Sequence, residues 1–118
     1  MKYIITESKI KEVLLSILNG IHIREITNGR DMVYPSGKEI LGNPPMIWNK
    51  YIEAFGPLYI IKYGGNFYVV QYQTDRWMIT DESGYTISEN DFIESLGLSK
   101  FGFSLTQLIE LKKKIEFL

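Results

Sequence analysis

At 118 residues the chain has room for one domain, residues 1–118, and its 45% hydrophobic and 14% aromatic content suits a packed interior rather than disorder. Thirteen Lys and Arg against 14 Asp and Glu leave a net charge of −1, so any basic footprint for a phosphate backbone has to be local. The lack of cysteine excludes disulfides, thiolate metal sites and cysteine nucleophiles.

The N-terminus, MKYIITESKIKEVLL, begins with a predicted short strand at 2–5. Glu7, Lys9, Lys11 and Glu12 interrupt any signal-peptide core, and no run approaches the roughly 20 apolar residues of a membrane span. A cytoplasmic protein without a membrane partner is the expectation. Thr6 or Ser8 is expected to cap a first helix, in which Ile10, Val13, Leu14, Ile17 and Leu18 recur at helical spacing and Gly20 marks the stop. Residues 21–27 alternate as a strand. Asn28-Gly29 is a strong type I′ turn signal, so Asp31–Tyr34 is the predicted return strand of a hairpin over 21–34. Lys38–Leu41 reads as a further extended piece.

Asn43-Pro44-Pro45 opens a second predicted helix, with Ile47, Trp48, Tyr51, Ile52 and Phe55 as its apolar stripe and Gly56-Pro57 as its end. Three strands then follow as an antiparallel meander over 58–80, turning at Gly64-Gly65 and at Thr74-Asp75. Asp81–Gly84 is a turn, Ser88 caps a short helix with Phe92, Ile93 and Leu96, and Ser104-Leu105-Thr106-Gln107 is a capping box for the last helix. The fold class that results is α+β: an antiparallel sheet (hairpin 21–34 and meander 58–80) with about four helices, mainly on one face.

The meander is the best candidate for a working surface. A two-residue Gly64-Gly65 turn puts Tyr59 and Ile61 on one face with Tyr68, Val70 and Tyr72, and Leu58, Ile60, Phe67 and Val69 on the other. Arg76 and Trp77 follow at the start of the next strand. Tyr, Trp and Arg are the types enriched at binding hot spots, so Tyr59, Tyr68, Tyr72, Arg76 and Trp77 are the candidate binding residues. Strand propensity and cross-strand pairing also account for tyrosines here.

Other motifs carry less. Lys62–Tyr72 is similar to the aromatic RNA-contacting strand of RRM domains, but the double glycine turns the chain, Asn66 precedes the aromatics and the βαββαβ order is missing. Ser36-Gly37-Lys38 fails as a phosphate loop, because Met32 stands where a glycine is needed and Glu39 where Ser or Thr is needed. His22, the one histidine, has no ligand partners nearby in sequence and reads as a surface strand residue. Asp75, Asp81 and Glu82 occupy turns, where carboxylates bond locally. Lys112-Lys113-Lys114 reads as a solvated helix end. No catalytic residue, metal ligand or cofactor is expected.

The opening Met-Lys-Tyr-Ile-Ile-Thr-Glu-Ser resembles the start of many small uncharacterised accessory proteins of tailed phages and mobile elements. That resemblance implies a protein that inhibits a host enzyme or defence system, CRISPR complexes included. The leading expectation is thus a non-enzymatic binder of a protein or ribonucleoprotein. The alternatives are an RNA or nucleotide-binding module that uses the aromatic meander with Lys62, Arg76 and the terminal lysines, and a small enzyme whose carboxylate or tyrosine site is assembled by the fold. Apolar positions 105, 108, 111, 115 and 118 form a near-heptad seam, which either packs on the domain's own sheet, the preferred reading, or forms a homodimer.

Overall fold

The structure, a computed structural model, describes residues 7–34 and 36–116. The expected strand at 2–5 and the Thr6 cap lie outside these residues. Among the described residues four α-helices and five strands run in the order α1 (Glu7–Asn19), β1 (His22–Ile26), α2 (Pro45–Phe55), β2 (Leu58–Tyr63), β3 (Asn66–Gln73), β4 (Arg76–Asp81), β5 (Thr86–Ile87), α3 (Glu89–Ser95) and α4 (Leu105–Glu116). The strands form one antiparallel sheet in sequence order, β1-β2-β3-β4-β5. This is the α+β architecture expected from the pattern of elements.

Local chemistry accounts for most boundaries. Gly64 and Gly65 both take positive φ, 57° and 82°, as a two-residue I′ turn demands, and Tyr63 pairs with Asn66 across it. Ser88 Oγ accepts from the Asp91 amide, and Ser104 and Gln107 exchange the reciprocal bonds of a capping box at 3.2 and 2.9 Å. Ser8 falls inside α1, so it is not the cap of that helix. Asp81 Oδ1 accepts from the amides of Ser83 and Tyr85 and shapes the turn into β5.

Because side chains alternate along the strands, the register sorts the sheet into two apolar faces. Tyr59, Ile61, Val70 and Ile79 pack with α1, α3 and α4, where Leu18, Phe92, Leu96, Leu105 and Leu108 are all buried. Ile26, Leu58, Ile60 and Val69 pack on the other face with Trp48 of α2 and with Met32 and Ile40 from the preceding loop. Three of the four helices thus lie on the tyrosine face. On the second face Gln71, 3% exposed, donates its amide to the carbonyls of Tyr51 and Gly56 and holds the end of α2 to β3. The α2 stripe is only partly used: Trp48 is buried, whereas Tyr51 and Phe55 remain exposed.

The expected hairpin over 21–34 does not form. Strand β1 pairs with β2 instead, His22 opposite Lys62 through Ile26 opposite Leu58, and Gly29–Asp31 is one turn of 3₁₀ helix. Of the expected extended piece at 38–41, only Glu39 bridges to Val33 before Ile40–Gly42 coils into a second 3₁₀ turn. Asn28 caps the first 3₁₀ turn by accepting from the Arg30 amide, and the Gly29 amide donates to Asn49 Oδ1 of α2 at 2.7 Å. A Cβ on Gly29 would run into the Pro45 carbonyl oxygen. The Asn-Gly pair therefore serves a cap and a close approach to a helix, two uses that share the residues of a hairpin turn.

Candidate recognition groove at the β3–β4 turn

The five residues picked out by sequence separate into three environments. Tyr68 packs edge-on against Phe92 of α3, with ring centroids 4.8 Å apart, inside the helix-covered core. Tyr59 is 9% exposed, and its ring lies edge-on to Trp77 at 6.1 Å. Tyr72, Arg76 and Trp77 gather at the β3–β4 turn, about 13 Å along β3 from Tyr68 at the usual strand rise.

The pairing of β3 with β4 sets this end. Tyr72 lies opposite Trp77 and Gln73 opposite Arg76, joined by Thr74-Asp75. Thr74 holds φ at 61°, a conformation that costs a β-branched residue and is kept here at the tip of the turn. The Tyr72 ring stands edge-on to Trp77 at 5.4 Å and is 46% exposed. The Trp77 indole N–H donates to Thr106 Oγ1 of α4 at 3.0 Å, which sets the ring between sheet and helix. Arg76 is exposed.

A groove of about 600 Å³ runs beside these residues, with Thr86, Ile87, Ser88 and Glu89 along its far wall. It follows from a mismatch in strand length. Strand β5 pairs only with Ile79 and Thr80, so Arg76–Met78 have no described strand on their outer side. The groove thus combines an open strand edge, an aromatic pair with one wet face, one cation at Arg76 and two carboxylates at Asp75 and Glu89. An open edge beside aromatic anchors is the setting of peptide recognition by strand addition.

Behind the aromatics stands a polar clasp. Lys113 of α4 sits over the Tyr59 ring at 5.4 Å, donates to the Tyr59 hydroxyl at 3.5 Å and pairs with Glu25 of β1 at 3.5 Å. Desolvation pulls the Lys113 ammonium down, but the Tyr59 hydroxyl and the Glu25 carboxylate together outweigh it and raise its pKa above the ordinary lysine value. Lys112 is buried and donates to the Leu18 carbonyl at the end of α1 at 3.1 Å. The lysine run is therefore no uniform solvated face. Two of its three ammonium groups tie α4 to α1 and to the sheet, and Lys114 is exposed.

Two features escaped sequence reasoning because they come from distant segments. The far wall at Thr86–Glu89 and the Thr106 contact are brought to the hairpin by α3 and α4. Among the described residues no three His, Asp or Glu side chains cluster to hold a metal ion, and no helix is long and apolar enough to cross a membrane. Comparison with known proteins gives no matching family model, no matching curated protein and no matching solved structure.

Proposed function

We propose that this chain is a non-enzymatic binding protein that acts in the cytoplasm by occupying a protein partner at the β3–β4 groove. The observation that carries the reading is the half-exposed Tyr72 standing on Trp77 beside Arg76, at a strand edge that β5 leaves uncovered. An extended segment of the partner adds along Arg76–Met78, with its side chains against Tyr72 and Trp77 and an acidic group at Arg76. The strained Thr74 at the tip supports a retained functional turn. The sharper form of the reading, in which the partner is a host or defence macromolecule and binding inhibits it, is supported by the opening octapeptide.

The arrangement of cations weighs against the nucleic-acid alternative. Lys62 lies on the opposite sheet face from Trp77, Lys112 is buried and Lys113 is paired, so the cations that would track a phosphate backbone form no continuous stripe. The preferred reading of the last helix, packing on its own sheet, is supported by the burial of Leu105 and Leu108 in the core beneath.

The test is recovery of a near-stoichiometric protein partner, followed by affinity measurement with variants. Tyr72→Ala and Arg76→Ala should each weaken binding at least about tenfold. Arg76→Ala, at an exposed position, should leave the thermal midpoint nearly unchanged, and Tyr72→Ala should lower it only by the loss of one ring contact with Trp77, about 1 kcal/mol. Tyr68→Ala is a poor probe, because it removes a core ring. A partner bound as tightly by the Tyr72→Ala, Arg76→Ala double variant would refute the proposed surface.

A further inference from the structure

The face of the sheet away from the tyrosines carries a second and chemically different site. His22, Arg24 and Ile26 share that face of β1, and the register sets Lys62 directly opposite His22. Arg24 faces Ile60, so Arg24 and Lys62 are diagonal neighbours, with backbones about 7–8 Å apart by strand geometry. No described carboxylate lies within ion-pair distance of either cation. Like charges on adjacent strands repel, and a bound anion would relieve that.

These side chains rim a cavity of about 450 Å³ lined also by Ile60, Phe67 and Tyr34, with the Tyr34 and Phe67 rings edge-to-face at 5.5 Å. Asp31 is the acid among the lining residues. Against Arg24 and Lys62 it leaves one uncompensated positive charge, and the His22 imidazole adds a further donor. The volume is that of a small-molecule pocket, and an apolar aromatic lining with a few convergent polar groups is the usual build of one.

We infer that this cavity binds a small planar ligand carrying one anionic group, an aromatic or heterocyclic carboxylate or phosphate monoester. The anion sits between Arg24 and Lys62 in charge-assisted hydrogen bonds, and the ring lies against Phe67 and Tyr34. The site is separate from the β3–β4 groove and does not depend on the partner bound there. Charged residues on β1, at the edge of the described sheet, also guard it against pairing with other chains. That role alone would give no saturable ligand.

The experiment is titration of the full chain with 1-naphthoate, 1-naphthyl phosphate and the neutral control 1-naphthalenemethanol, followed by amide chemical-shift mapping. At least one anion should bind saturably and at least tenfold more tightly than the alcohol, with shifts centred on 22–24, 31–40 and 60–67. The Arg24→Gln, Lys62→Gln double variant should lose at least tenfold while Lys114→Gln, an exposed position on α4 outside both sites, binds as wild type. The better of the two anions identifies the ligand as carboxylate or phosphate. Equal binding of the alcohol, shifts centred elsewhere, or a double variant that keeps both its fold and its affinity would overturn the inference. Absence of binding together with increased self-association of the double variant would overturn it in favour of edge protection.

Discussion

Lys113 shows how one side chain draws distant elements together. Its ammonium reaches a β1 carboxylate, a β2 hydroxyl and a β2 ring at once. Both partners of the ion pair are more than a third exposed, so solvent screens it, and Lys113→Met should cost only about 1 kcal/mol in denaturant unfolding. The folded-state pKa is raised, so the charge-dependent part of this stabilisation is fully present at neutral pH. It is lost on the alkaline side as pH rises through the raised value. The difference between wild type and Lys113→Met should accordingly be flat across neutral pH, shrink in strongly alkaline buffer and shrink with added salt. A difference that grew toward high pH would mean that Lys113 is held for its neutral form.

The elements show where sequence patterns suffice and where they fail. Strands β2 to β4 are legible because each signal is local: alternating apolar residues, a Gly-Gly pair for two positive φ values, and short turns. Strand β1 was legible as a strand but not in its partner. Asn28-Gly29 is the same dipeptide whether it turns a hairpin or caps a 3₁₀ turn against α2, and what decides is Asn49, twenty residues away. The candidate groove follows the same division. Tyr72, Arg76 and Trp77 come together because one hairpin carries them, whereas the exposure of each tyrosine depended on α3 and α4 and could not be read from strand alternation. The cavity under Arg24 and Lys62 was missed because His22 was considered without its cross-strand neighbours, which only the β1–β2 register supplies.

Gly29→Ala should destabilise by about 1–3 kcal/mol through the clash with the Pro45 carbonyl, and Asn49→Ala by about 1 kcal/mol through the lost bond to the Gly29 amide. Urea unfolding of both variants checks this. A hairpin turn at 28–29 would leave Asn49→Ala without effect.

At the scale of the whole molecule, a sheet covered on both faces leaves recognition to its ends and edges. Helices α1, α3 and α4 close the tyrosine face except where β4 outruns β5, and α2 with its preceding loop covers the other face, leaving openings beside β1 and over Gln73, Met78 and Thr80. The β3–β4 groove and the opening beside β1 differ in chemistry: the groove presents an aromatic pair and a strand edge to a polypeptide, the other an aromatic pocket with two cations to a small anion. On the proposed function, a protein partner occupies the first. The most direct measurement is photo-crosslinking from benzoylphenylalanine placed singly at the exposed positions 72, 86, 55 and 114. Positions 72 and 86, on the two walls of the β3–β4 groove, should crosslink to the same partner, and 55 and 114 should not. Crosslinks from 55 or 114 with none from 72 would place the partner on another surface.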